Sequence, residues 1–286
     1  KIGDAIAITV TFSEEVKVTG NGLTLTLNNG ATLTIAAANA STTHTATYTV
    51  VEDSSGAKDK TNLKVSSIAN ASGGQATDKA GNVLATFTGY TDINDGVNVD
   101  AQKPTATLDY TFTNPVIRET DKARGGETIT ITATFSEDMT PSTDQSITLT
   151  GTYAADTSTQ SITFTNNDRV VEGGTTLNNK YSKEFTIANS KAGTLTFNLT
   201  AGKDKALNDV DQSAISQTLT IDDTAPYQVT VSSTSTTGTY TSGTIPITLT
   251  FGERVVLNGT LNVVLSLLDD GGNASNKTLA ITGNGT

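Results

Sequence analysis

The chain has 286 residues, 29 of them acidic and 18 basic, giving a net charge of −11, with one His, one Met and neither Cys nor Trp. Without Cys there is no disulfide scaffold, no zinc–thiolate site and no thiol nucleophile, and one His cannot build a multi-His metal site. An acidic chain without Lys/Arg clusters argues against nucleic-acid binding, and apolar runs of three or four residues at most argue against membrane insertion.

The predicted elements are strands from the start. Ile6, Ile8, Val10 and Phe12 alternate with Ala7, Thr9 and Thr11, a period of two that sets an apolar face against a Thr face. The alternation continues at Leu23, Leu25 and Leu27, at Leu33 and Ile35, and at Thr47 and Thr49, with Asn28-Asn29-Gly30 as a turn. His44, in a Thr-rich stretch, reads as an exposed residue. Asp92-Ile-Asn-Asp-Gly96 resembles part of a calcium loop but lacks the closing Glu, and reads as a hairpin turn. Ile147 and Leu149, then Leu195, Phe197 and Leu199, repeat the strand pattern, and Asp269-Asp270-Gly271-Gly272 marks a late turn.

The order of motifs recurs. The stretch from Gly3 to Glu14 aligns without gaps with Gly126 to Glu137, and with Gly243 to Glu253 at one residue shorter. This places Phe12, Phe135 and Phe251 at spacings of 123 and 116. Asp78-Lys-Ala-Gly-Asn82 matches Asp204-Lys-Ala-Leu-Asn208, and Val99-Asp-Ala-Gln-Lys-Pro104 matches Ile221-Asp-Asp-Thr-Ala-Pro226. A repeat of about 120 residues holding seven or so short strands predicts an all-β chain of tandem immunoglobulin-like antiparallel β-sandwiches, arranged as a rod. The predicted units are 1–100, without its first strand, 101–222, complete, and 223–286, without its C-terminal half. Pro104 and Pro226 mark the linkers. No secretory signal opens the sequence, which reads as a window from a longer array. Half a sandwich exposes apolar faces, so residues 223–286 are expected to be ordered only when more chain or a neighbouring copy completes them.

The Gly-x-x-Ile-x-Ile-x-x-x-Phe-Ser-Glu strand, Tyr48-Thr-Val-Val-Glu-Asp53, Asp78-Lys-Ala-Gly-Asn82 and the Ile221–Pro226 linker together resemble the bacterial immunoglobulin-like repeats of giant cell-surface adhesins and related extracellular arrays. The resemblance covers essentially the whole chain. It implies secretion, a structural or adhesive role, and frequently calcium at the domain junctions. Two departures weaken the third junction: Gly252 replaces Ser, and Arg254 stands where the other units have Glu15 and Asp138.

The acids can also be placed from topology. In a sandwich entered along its first strand, the loops after the second and sixth strands share the pole next to the incoming linker. Glu137 and Asp138 close the second strand of the middle unit, Asp204 and Asn208 lie in its last loop, and Asp100 lies in its linker. Converging carboxylates repel unless a cation neutralises them, and hard oxygen ligands on loops suit Ca²⁺. The equivalent sets are Asp222, Asp223 and Glu253 for the third unit, and Glu14, Glu15 and Asp78 for the first. Glu52, Asp53 and Asp59 fall at the outgoing pole of the first unit and add to the next junction. The competing reading for each acid is a turn residue that bonds its own backbone.

No nucleophile motif surrounds any Ser, and acids confined to turns offer no catalytic cleft, so the chain reads as non-catalytic. The expected partners are neighbouring repeats of one long chain, outside the cell. Two other readings stand beside this stalk: a subunit of a self-assembling surface layer or filament, and a glycan- or receptor-binding module.

Overall fold

The computed structural model describes residues 1–88, 96–113, 122–140, 146–213, 215–227, 229–236, 238, 240, 242–257, 259–268 and 271–282. Asp92–Asp95 and Asp269-Asp270, read as parts of turns, lie outside the described residues. The fold is all-β, with no α-helix among the described residues and a single 3-10 turn at Asn166–Asp168.

Residues 1–101 form two facing antiparallel sheets. Their strands are β1 (Ala5–Thr19), β2 (Leu23–Leu27), β3 (Thr32–Ile35), β4 (Ala38–Thr49), β5 (Val65–Asn70) and β6 (Gln75–Thr77). One sheet has the order β4-β1-β6 and the other β3-β2-β5. Leu23, Leu25, Leu27, Leu63, Val18, Ala76 and Ala101 are buried between them. β1 runs past Glu14 and Glu15 to Thr19, because a bulge between Thr11 and Val16 bends the strand instead of ending it.

His44 corrects the expectation of an exposed residue. It is 6% exposed, its Nε2 lies 2.7 Å from the Val16 carbonyl, and its ring meets Phe12 edge-on at 5.9 Å. The cause is parity: His44 shares the inward side of β4 with Ala46 and Tyr48, and the bulge in β1 turns a carbonyl toward it.

The second sandwich holds β7 (Ala106–Phe112), β8 (Lys122–Ala123), β9 (Thr128–Phe135), β10 (Ile147–Tyr153), β11 (Thr159–Phe164), β12 (Arg169–Glu172), β13 (Thr175–Thr186), β14 (Gly193–Ala201) and β15 (Ser216–Ile221). The sheets are β12-β13-β9-β7 and β11-β10-β14-β15-β8. All pairs are antiparallel except β8 with β15, so the opening segment contributes a strand to each sheet. Ile129, Ile131, Phe135, Met139, Tyr153, Phe164, Tyr181 and Phe197 fill the core. The outward faces explain the 79 Thr and Ser residues: cross-strand hydroxyls pair at Thr9–Thr45 (2.9 Å), Thr128–Thr186 (3.1 Å) and Thr132–Ser182 (3.1 Å).

Beyond Asp222 the strands are β16 (Thr230–Ser232), β17 (Thr248–Thr250), β18 (Thr260–Leu268) and β19 (Ala274–Thr282), in two separate two-stranded ladders. No described residue from 223 onward is buried, and Val231, Val264 and Leu268 are 57%, 58% and 75% exposed. Phe135 and Phe251 hold the same motif position but not the same environment: Phe135 is 3% exposed, whereas Phe251 is only half-buried. Phe135→Ala should therefore cost about 3–5 kcal/mol in chemical unfolding. Phe251→Ala should leave the main transition unmoved.

Candidate metal centre

The site forms where the linker between the two sandwiches crosses from one to the other. Ala101 is fully buried and Pro104 is also buried. On the first sandwich the linker is held by Asp53 N to Ala101 O (2.8 Å), Ala101 N to Asp59 Oδ1 (2.7 Å), Gln102 Nε2 to Ser54 O (3.0 Å) and a Lys103–Glu52 ion pair (2.7 Å). On the second it is held by Asp211 N to Pro104 O (2.9 Å) and by a reciprocal Thr105–Ser136 pair, with Ser136 N to Thr105 O at 2.9 Å and Thr105 N to Ser136 Oγ at 3.0 Å. The Ser of the Phe-Ser-Glu motif thus fixes the turn after β9, which carries Glu137.

The loop between β14 and β15 supplies the other half. Asp204 caps it: its Oδ1 accepts from Asn208 N at 2.8 Å, while Asp204 N reaches Asn208 O at 3.2 Å. Leu207 takes φ 71° to close the turn, where the matching Gly81 has φ 89°. Asp204 is 0% and Asn208 3% exposed. Asn208 is the hub. Its Nδ2 lies 3.0 Å from Asp100 Oδ1, 3.0 Å from Asp204 Oδ2, 3.2 Å from Gln102 O and 3.4 Å from Asp100 O. Its Oδ1 accepts from Ile2 N at 2.8 Å. One side chain therefore ties both sandwiches and the linker, but its two N–H groups cannot satisfy four oxygens.

Asp100, Glu137 and Asp204 converge here, with one oxygen from each lying within 4.8 Å of the others. Oxygens at that separation fit around a cation at the 2.3–2.6 Å distances that Ca²⁺ takes. Burial and the negative charges of Asp100, Asp204, Asp59 and Asp138 push the Glu137 carboxyl up to about 7. Burial and Asp204 also raise Asp100. Among the described residues no hydrogen bond or ion pair neutralises Glu137. Asp59, read from sequence as belonging to the outgoing pole, adds to this field while its Oδ1 holds Ala101 N.

The other sequence candidates sit elsewhere. Asp138 pairs with Lys205 at 2.6 Å, which keeps its carboxyl low. Asp222 accepts from Thr224 N at 3.3 Å and faces Lys122 at 3.5 Å. Asp223 accepts from Gly125 N at 3.0 Å and from Ser190 N, a seat open because a Cβ on Gly125 would come within 2.7 Å of its carboxylate. Glu253 has one oxygen shielded from solvent without a hydrogen-bond partner among the described residues. Glu14 is exposed in the bulge of β1, and Glu15 pairs with Lys79 at 2.6 Å. Asp78 accepts from Asn82 N and Nδ2 at 2.8 and 2.7 Å, the same cap as Asp204 makes, and these bonds lower it. Asp53 bonds Ser55 and Lys58 in its own turn. The contributions that sequence reading missed are the Ile2 amide and the Ser54 and Gln102 carbonyls, which are backbone groups without a residue signature.

Comparison with protein-family models and with curated protein sequences returned no match.

The raised Glu137 carboxyl fixes a pH dependence. Its folded value, about 7, lies above its ordinary 4.5, so the folded state holds the extra proton between these values. The stabilisation is full at low pH and is lost as pH rises through about 7. In chelator, the unfolding temperature of the native chain should fall across this window more steeply than that of Glu137→Gln.

Proposed function

We propose that the chain is a run of non-catalytic immunoglobulin-like extender repeats from a long extracellular or cell-surface protein, of the adhesin-stalk type, with Ca²⁺ stiffening the junctions. The observation that carries the reading is the junction itself: two separate hydrophobic cores meet through a linker bonded on both sides, beside three converging carboxylates. A cation bound by Asp100, Glu137 and Asp204 would cross-link the linker, the turn after β9 and the β14–β15 loop. That removes hinge freedom which a bare interdomain interface permits. The strand order of residues 106–221, with the opening segment divided between the two sheets, supports the immunoglobulin-like assignment. The proposed units are 1–100, 101–222 and 223–286. The extracellular placement rests on the resemblance of the repeat motifs.

A self-assembling subunit is the second reading, favoured among the described residues by the exposed apolar side chains of Val231, Val264 and Leu268. A glycan platform has less support, because Tyr48, Tyr153 and Tyr181 are buried in the cores.

Calcium should bind at the junction and raise the unfolding temperature. Saturation at a hundredfold excess over the dissociation constant corresponds to about 2.7 kcal/mol. Titration calorimetry with CaCl₂ should give heat for the native chain and for Asp78→Asn, and at least tenfold weaker binding for Glu137→Gln, whose half-exposed side chain can be replaced without disturbing a core. Equal binding by the native chain and Glu137→Gln, or no binding at all, would remove calcium from this site.

A further inference from the structure

The two sandwiches diverge beside the junction. In the first, β3 turns into β4 through Ala36 and Ala37 alone. The opening stretch of β4 pairs with β1, which runs on past its bulge to meet Ser41 at Val16 and Ala38 at Val18. In the second, β9 ends at Phe135, and residues 165–174 stand between β11 and β13. The opening stretch of β13 pairs instead with β12, Arg169 with Tyr181, Val171 with Thr176 and Glu172 with Thr175.

This hairpin projects past the pole that carries the linker. Lys180 is level with Thr134, and Ala106, the first residue of β7, is level with Phe135, so Thr175–Asn178 lie beyond the paired sheet. At the rise of a strand they reach roughly 14 Å. The linker from Ala101, buried in the first core, to Thr105 spans about 17 Å at full extension. The hairpin is therefore nearly as long as the gap between the two cores.

Its base is fixed and its tip is bare. Thr165 and Asp168 form a capping box under β12, with Thr165 N to Asp168 Oδ2 at 2.7 Å. Lys183 joins Asp168 (3.4 Å) to the Thr163 carbonyl (2.8 Å), and Arg169 Nη2 donates to Asn166 Oδ1 at 2.7 Å. Asn178 O accepts from Met139 N at 3.0 Å and from the Tyr181 hydroxyl at 2.9 Å, which ties the hairpin to two fully buried residues. Lys180 bridges the two arms to Glu172 at 2.5 Å. Gly173 and Gly174 close the turn at φ 57° and 82°, the two positive values that a type I′ hairpin turn needs. Every residue from Val171 to Thr176 is exposed, Val171 by 61%. A lone two-stranded hairpin is marginal in water, so this bracing is what keeps the arm extended.

We propose that the β12–β13 hairpin is a one-sided stop for the junction. When the first sandwich swings toward β12, its pole meets the tip at Val171–Gly174 and the swing ends there, while bending away from β12 is unopposed by it. A bare interface between domains would permit motion in both directions. Landing would also bury the exposed Val171 side chain, which adds a favourable contact to the steric limit. The inference rests on reading the chain as an extender, and not on calcium.

The test uses the full chain in chelator, with spin labels at Thr47→Cys on the first sandwich and Thr163→Cys on β11, beside the hairpin base. In one variant Asn-Gly replaces Val171–Thr176, which sets Val170 opposite Leu177 across a turn of the same type and keeps the Arg169 and Asn178 anchors. In a second variant each arm gains two residues, moving the tip about 7 Å further out. The shortened hairpin should add distances below the native lower bound, and the lengthened one should raise that bound by several ångströms. The upper bound should be the same in all three chains. Three identical distributions overturn the stop, as does a change confined to the upper bound. Calcium against chelator in the native chain tests the cation separately, so either reading can fail without the other.

Discussion

Everything at the junction turns on one amide side chain. Asn208 faces two carboxylates and two carbonyls with its nitrogen and takes the Ile2 amide on its oxygen. It lies almost completely buried among like charges, where unpaired acids are costly. An amide supplies only partial positive charge. Burial and the negative charges of Asp100, Asp204, Asp59 and Asp138 push Glu137 up to about 7, and that concentration of negative charge is the physical reason why a divalent cation suits the place. The linker bonds to Ser54, Asp59, Ser136 and Asp211 set the loops; the charge sets what they can hold.

The fold was legible because one chemical rule dominates the chain. Apolar residues at a period of two face inward and Thr faces outward, where it pairs across strands. The repeat then carried the reading from one unit to the next. The Thr residues around His44 mark the stretch as an outward face, yet its parity with Ala46 and Tyr48, present in the sequence, sets it on the inward one. What no periodicity announces is the bulge between Thr11 and Val16, which arises from local backbone geometry and supplies the Val16 carbonyl for that ring.

The site was legible in part for the same reason. Asp100, Glu137 and Asp204 come from three segments that topology assigns to one pole, and they do meet. Asp138 does not join them, since one residue further along the turn its side chain reaches Lys205. Asp223, assigned to the junction of the second and third units, bonds the Gly125 and Ser190 amides at the far end of the second sandwich, where the missing Cβ of Gly125 leaves it room. Sequence position gives the pole at which an acid lies. Side-chain direction and nearby lysines decide its partner.

The most direct measurement is the distance distribution between spin labels on the two sandwiches, at Thr47→Cys and Thr163→Cys in the otherwise Cys-free chain, with calcium and then with chelator. A narrow distribution with calcium that broadens on chelation is the result expected of a cation-stiffened junction. Identical distributions in both conditions would contradict it, and would leave the linker hydrogen bonds and Asn208 as the whole source of stiffness.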